Sequence, residues 1–269
     1  MVEPMPSSAK RKKEADETGV INDDHYRRRV EAWSDPEARS NEFVTHAKRL
    51  LRWAGTGAKV LDLGAGEGFF TKACQNVGLA ALALEGSPVA VSWGISHLGI
   101  DARLHNLRDP LPLPSAAFDA VLYHDVYEHV PRSINEMVFA EAMRVLKPGG
   151  KFWVVTTCRY DFVECAELEH INNPTPTELF RLGQKHGFEG DILRGGFNIS
   201  LFTPRFYDEA FSSSAWDVRL RSILKRNRRL VTALFAPVWL PLWYLNRRIL
   251  HLPLLDFVVC TSNVLFRKP

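Results

Sequence analysis

Two spacings of apolar positions alternate along this chain. Short apolar runs at 59–63, 79–84, 102–106, 120–123 and 151–157 read as strands, and apolar residues between them recur every three or four positions. The run at 151–157 is what a central parallel strand covered on both faces requires. Asp35-Pro36 predicts an N-cap with proline at the first helical position, and Phe43, Val44, Ala47, Leu50, Leu51 and Ala54 continue at helical spacing to Gly55. Further helices are predicted over 69–77, ending at Gly78, and from Ser87-Pro88 to about Gly99. Capping boxes at Ser133-Ile134-Asn135-Glu136 and Thr175-Pro176-Thr177-Glu178 open two more, which stop before Pro148-Gly149-Gly150 and at His186-Gly187-Phe188. Segments 189–195 and 256–267 predict a sixth and a seventh strand.

Strands alternating with helices imply an α/β fold with an open, doubly wound sheet and a ligand at the carboxyl ends of its strands. The chain divides into a disordered tail (1–22), a helical cap (23–57), a core (58–202), a hydrophobic and basic insertion (203–255) and a final strand (256–269). Composition changes little in this picture. Apolar content of 46% and charged content of 24% are ordinary for a globular chain of 269 residues. A net charge of +3 and the lack of a basic-aromatic groove argue against a nucleic-acid partner. The 4 cysteines (Cys74, Cys158, Cys165, Cys260) form no C-x-x-C pair, which favours buried thiols in a reducing compartment. Lys10-Arg11-Lys12-Lys13 reads as a solvated charge run, with a targeting or surface-binding patch as the alternative. No apolar segment near residue 1 has the form of a secretory signal, so a cytoplasmic location is expected.

The chemistry starts at Val60-Leu61-Asp62-Leu63-Gly64-Ala65-Gly66-Glu67-Gly68-Phe69-Phe70. A strand enters a glycine-rich turn and then a helix, and Glu85 ends the next apolar run, where a carboxylate can accept both hydroxyls of a ribose. Dinucleotide sites want G-x-G-x-x-G, but Phe69 stands where the third glycine belongs. Asp62 also places a carboxylate beside the turn, which suits a cationic ligand better than a pyrophosphate. S-adenosylmethionine, with an ammonium, a sulfonium and no phosphate, fits both details.

Asn106-Leu107, Pro110-Leu111-Pro112-Leu113-Pro114, Phe118-Asp119-Ala120-Val121-Leu122, His124-Asp125-Val126-Tyr127-Glu128-His129-Val130 and Arg144-Val145-Leu146-Lys147-Pro148-Gly149-Gly150 follow in order. This series resembles the class I S-adenosylmethionine-dependent methyltransferases over about residues 58–160, especially those acting on small, quinone-like or lipid-like acceptors. The resemblance implies a mostly parallel seven-stranded sheet whose last strand inserts antiparallel beside the fifth. It also implies methyl transfer to a small or lipid-like acceptor, at oxygen. Gly64 and Gly66 would meet the methionine moiety, Asp62 its amino group, Glu85 the ribose, and Asn106 and Leu107 the adenine. The family more often has Asp than Asn at that last place, and Asp101 is near enough to be the alternative. An alternative for Asp62 is a carboxylate that organises the turn.

No protein nucleophile is needed for displacement at an activated methyl; orientation and removal of the acceptor proton are the enzyme's tasks. His124, Glu128 and His129 follow the fourth strand, where the acceptor should lie, and His129 has an intrinsic pKa suited to a general base. Glu128-His129 as a helix cap is the competing reading. Asp125-x-x-Glu128-His129 also resembles the Glu-x-x-Glu-His metal site of ubiquinone-biosynthesis O-methyltransferases and small-RNA 2′-O-methyltransferases. Asp replaces the first Glu and Glu-His-Val also occurs in metal-free relatives, so no metal is expected; Asp125, Glu128 and His129 are the alternative ligand set, which His170 would complete.

Residues 225–248 fall outside the resemblance. Basic clusters at 225–229 and 246–248 flank an uncharged run rich in leucine and aromatics with Pro237 and Pro241, shorter than the about 20 residues a spanning helix needs. The segment reads either as a membrane-surface contact or as a hydrophobic lid on the acceptor pocket. A rival reading of the whole chain is a cofactor-binding scaffold or peripheral membrane protein without turnover, and another is a protein or RNA methyltransferase.

Overall fold

A computed structural model describes residues 23–32, 35–157, 170–193, 241, 245 and 261–269. The strands are β1 (Lys59–Leu63), β2 (Ala80–Glu85), β3 (Asp101–Leu104), β4 (Phe118–His124), β5 (Leu146–Thr157), β6 (Glu189–Ile192) and β7 (Thr261–Arg267). They form one sheet in the order β3-β2-β1-β4-β5-β7-β6. β1 pairs parallel with both β2 and β4, and β7 runs antiparallel between β5 and β6. This is the Rossmann-like architecture expected of the sequence. The strand order reverses between β1 and β4, which opens a crevice above their carboxyl ends.

The helices are α1 (Asp23–Ala32), α2 (Pro36–Asn41), α3 (Val44–Ala54), α4 (Phe69–Asn76), α5 (Pro88–Trp93), α6 (Arg132–Val145) and α7 (Pro176–Lys185). Alternation along each strand divides the core into two layers. Leu61, Leu63, Val121 and Tyr123 pack with Phe139 of α6 and Leu179 of α7, while Val60, Ala120, Leu122 and Trp153 face Leu50 of α3 and Phe70 of α4. Each fully buried Leu or Phe contributes about 1.5–3 kcal/mol by leaving water. Across the β5–β7 pair the buried indole of Trp153 donates to Asn263 Oδ1 at 2.8 Å, which satisfies a polar atom that burial would otherwise penalise.

Several elements differ from the sequence reading. The helix expected from Asp35 to Gly55 is two helices, because the N–H groups of Glu42 and Phe43 bond three residues back, to Arg39 and Ser40. That tighter turn lets Phe43 stack on Phe70 at 5.4 Å. The Ser133 capping box does not form: α6 starts after Pro131, and the Glu136 carboxylate instead accepts from Lys185 at 2.8 Å and meets His186 Nε2 at 2.7 Å. The Thr175–Glu178 box does form. The helix after Ser87 continues past α5 as a wider π-helical turn over Gly94–Leu98. β3 begins and ends earlier than expected, which leaves Asn106 on the following loop, and β5 begins at Leu146. The tail 1–22, the residues 194–195 and 256–260, and all of 203–255 except Pro241 and Leu245 lie outside the described residues, as do Cys158, Cys165 and Cys260. Among the described residues no helix is long and apolar enough to cross a membrane.

Candidate functional site

The turn between β1 and α4 is shaped by residues that lack a side chain. Gly64 and Gly68 have φ of +69° and +87°, in the left-handed region. A Cβ on Gly64 would lie 2.7 Å from the Val126 side chain, and one on Gly68 would lie 2.1 Å from Ile100 Cδ1. The N–H of Gly64 donates to the Leu84 carbonyl at 2.8 Å, which fastens the turn to β2. Glu85, 6% exposed, ends that strand. Its Oε2 accepts from Gly66 N–H and its Oε1 from Ser87 N–H, both at 2.9 Å. Burial raises its pKa, and the backbone donors oppose that shift. A small cavity of about 60 Å³ opens here between Gly64, Glu85, Asn106, Leu107 and Val126. Asn106 Oδ1 accepts from Arg108 N–H at 3.0 Å, which forms the turn that holds Leu107 against the cavity. The alternative, Asp101, starts β3 and pairs with Arg103 at 3.6 Å, away from both cavities.

Asp62 is 3% exposed, and its Oδ2 accepts from the Thr71 hydroxyl at 2.7 Å. Burial pushes its carboxyl up to about 6, against the opposing Thr71 hydrogen bond. A carboxyl whose folded pKa exceeds its unfolded value holds its proton more tightly in the folded chain. Its stabilisation is therefore present at low pH and is lost as pH rises towards the folded pKa. Asp62→Asn removes this loss. The stability of the Asn variant relative to wild type should grow by on the order of 3 kcal/mol between about pH 4 and 6, then level off. Urea titrations across that range, without ligand, test it; a flat or falling difference contradicts it.

A larger cavity, about 480 Å³, lies over the ends of β1, β4 and β5. His124 ends β4, and its Nδ1 is 3.1 Å from Asp125 Oδ2. Burial works against a charge on this imidazole, but the adjacent Asp125 carboxylate outweighs it and the pKa is raised. Asp125 has φ of +54°, a left-handed conformation unusual for a non-glycine residue. Glu128 and His129 stand on a 3₁₀ turn, Tyr127–His129. Glu128 is 1% exposed; its Oε2 accepts from the Thr156 hydroxyl at 2.7 Å and its Oε1 from Thr157 N–H at 3.4 Å. Burial first, and the Asp125 charge second, push its carboxyl up to about 7.

The Glu128 carbonyl accepts from the N–H groups of Ile171 at 2.7 Å and Asn172 at 3.1 Å. That link brings His170 beside His129, with ring centroids 4.7 Å apart. Ligand atoms of Glu128, His129 and His170 lie within 4.8 Å of one another, a spacing able to hold one metal ion. Asp125, the other residue of the sequence-derived set, is turned onto His124.

The structure thus gathers Asp62, Gly64, Gly66, Glu85, Asn106, Leu107, His124, Glu128 and His129 around two adjoining cavities. Four contributors were not identified from the sequence. Tyr26 and Arg29 come from α1, and Glu67, 3% exposed, pairs with Arg29 at 3.0 Å. Buried Asn135 donates to the Tyr127 carbonyl at 3.0 Å and accepts from the Tyr123 hydroxyl at 2.8 Å, fixing the turn that carries Glu128. Only a polar residue on the buried face of α6 hinted at Asn135.

Comparison with known proteins places this architecture. A methyltransferase-domain family matches residues 61–154. The ubiquinone biosynthesis O-methyltransferase of Thiobacillus denitrificans is 31% identical over 188 residues, 61% of this chain and 80% of that protein. The protein of the same name from Xanthomonas oryzae is 31% identical over 108 residues, so the chain spans only 44% of its length. An S-adenosylmethionine-dependent methyltransferase of Archaeoglobus fulgidus superposes with a TM-score of 0.54 over 86% of this chain and 94% of that one, at 12% identity, a likeness of fold alone. The chain belongs to the class I S-adenosylmethionine-dependent methyltransferases. Its cofactor is S-adenosylmethionine, and the residues present suit it: a cradle of glycines where side chains would clash, and a buried carboxylate at the end of β2.

Proposed function

We propose that this enzyme transfers a methyl group to a hydroxyl of a small, phenolic or quinone-like acceptor with lipid-like character. The observation that carries the reading is the cluster of His124, Glu128, His129 and His170 on the acceptor side of the 480 Å³ cavity, beside the aromatic rings of Phe43, Phe69 and Phe70. The ubiquinone biosynthesis O-methyltransferases among its relatives support the same acceptor class.

S-adenosylmethionine supplies an electrophilic methyl carbon on a sulfonium, so the leaving group departs as a neutral thioether. The chain's own residues have two tasks. Gly64, Gly66, Asp62, Glu85, Asn106 and Leu107 hold the cofactor and set the direction of approach, an orientation effect worth up to roughly 7–11 kcal/mol. His129 takes the hydroxyl proton as the acceptor oxygen bonds to the methyl carbon, while His124 and Glu128 fix the charge around it.

A second reading of the same cluster is favoured by its geometry. The ligand atoms of Glu128, His129 and His170 are close enough to share a divalent ion, with Asp125 as a nearby negative charge. Such an ion would lower the pKa of an acceptor hydroxyl and orient it. Incubating the full chain with methyl-labelled S-adenosylmethionine and a set of prenylated catechols, with and without EDTA, tests both. Label in an ether product is expected. Loss of at least about tenfold of the rate in EDTA, restored by magnesium or manganese, is the outcome for the metal reading. Label on ring carbon with none on a catechol oxygen would overturn O-methylation.

A further inference from the structure

Helix α1 is clasped at three points, to the glycine turn and to the segment where β2 runs into α5. Ser87 Oγ donates to Asp23 Oδ1 at 2.6 Å, and Arg29 Nε meets Glu67 Oε1 at 3.0 Å. Between these links lies Tyr26, 5% exposed, whose hydroxyl is hydrogen-bonded to the Glu85 carboxylate. The same phenol lies 3.7 Å from where a Cβ on Gly66 would stand, and it lines both cavities. Residues from the end of one helix, the glycine turn and the end of β2 thus meet at a single carboxylate.

The acceptor capacity of that carboxylate is decisive. An ionised carboxylate offers about four lone-pair positions. Backbone N–H groups of Gly66 and Ser87 engage one oxygen each at 2.9 Å, and the Tyr26 hydroxyl is a further donor to the same carboxylate. The two N–H groups are built into the turn and into the start of α5, so they move only with the backbone. The phenol is the one donor that a side-chain or helix movement can withdraw. A ribose presents two hydroxyls to the same carboxylate, and beside the two backbone donors there is room for both only when the phenol is withdrawn.

We propose that Tyr26 gates the cofactor pocket: its hydroxyl occupies the place on Glu85 that a ribose hydroxyl takes, and the cofactor enters by displacing it. Displacement draws on the clasp, because Tyr26 is one turn from Arg29 on the same helix. The gate therefore couples seating of the ribose to the position of α1 over the glycine turn. The phenol differs in this from a residue that only packs on the cofactor, since removing its hydroxyl should help binding rather than harm it.

The proposal rests on Glu85 being the ribose residue, so Glu85→Ala is measured in parallel. The probe is S-adenosylhomocysteine, titrated calorimetrically and mixed by stopped flow with the full chain, with no acceptor present. Tyr26→Phe keeps the ring against Gly66 and removes only the competing donor. It is expected to bind about three- to tenfold tighter than wild type. Arg29→Gln, which loosens the helix without touching Glu85, should raise the association rate constant by about twofold or more. Equal or weaker binding of Tyr26→Phe overturns the gate: the phenol is then packing or a direct cofactor contact. If Tyr26→Phe fails to fold, an unchanged association rate in Arg29→Gln overturns it instead. Unchanged binding by Glu85→Ala would sink the ribose assignment itself, a result separable from either outcome at Tyr26.

Discussion

Glu85→Ala is expected to weaken S-adenosylmethionine binding by at least about 100-fold, because two hydrogen bonds to a charged acceptor are lost at about 1.5–3 kcal/mol each. In the proposed site the carboxylate has a second task besides receiving the ribose. It accepts the N–H groups of Gly66 and Ser87 at 2.9 Å, so it fixes the glycine turn proposed to hold the methionine end of the cofactor. Alanine leaves those buried donors without their acceptor, and both effects act in one direction. Glu85→Gln retains one carbonyl oxygen for the turn and loses the charge, so its deficit should be intermediate, about tenfold. Calorimetric titration of both variants, each first shown to melt cooperatively, makes the check. Full affinity in the alanine variant would remove Glu85 from the cofactor site.

Much of this site is readable in the sequence because backbone demands restrict residue type. Gly64 and Gly68 adopt conformations and packing that a side chain forbids, so the turn announces itself as glycine. Buried parallel strands such as β1 and β4 likewise need apolar residues on both faces, and their runs locate the sheet and its carboxyl ends. Contacts between distant segments leave no such trace. Tyr26 reaches Glu85 from α1, and His170 reaches His129 through backbone bonds from Ile171 and Asn172 to the Glu128 carbonyl. Neither contact has a spacing rule. The Ser133 box fails for the complementary reason: the local pattern is present, but Lys185 and His186 of a neighbouring element offer Glu136 a charged partner. A charge-assisted pair outcompetes one backbone hydrogen bond at a helix start that Pro131 already defines.

Glu128→Gln should separate catalysis from binding. Glutamine matches glutamate in size and its carbonyl can still accept from the Thr156 hydroxyl, so the turn that carries His129 should persist. What disappears is a carboxyl held near pH 7 by burial, with Asp125, His129 and His170 around it. Turnover should fall by about 100-fold or more, the usual effect of losing a proton-transfer group or metal ligand. Binding of S-adenosylhomocysteine should stay within about threefold, because the residues proposed to hold the ribose and adenine, Glu85, Asn106 and Leu107, line the other cavity. Glu128→Asp, which keeps the charge on a shorter arm, should recover part of the rate. If the metal reading holds, the recovered rate should require a higher metal concentration than wild type needs. A merely structural Glu128 would give a different pattern: melting temperature and cofactor affinity would fall together with turnover, and the aspartate variant would behave no better than glutamine. The cluster of Glu128, His129 and His170 is then a packing device, and proton removal must be assigned to His124 with Asp125, the remaining imidazole and carboxylate over the acceptor cavity.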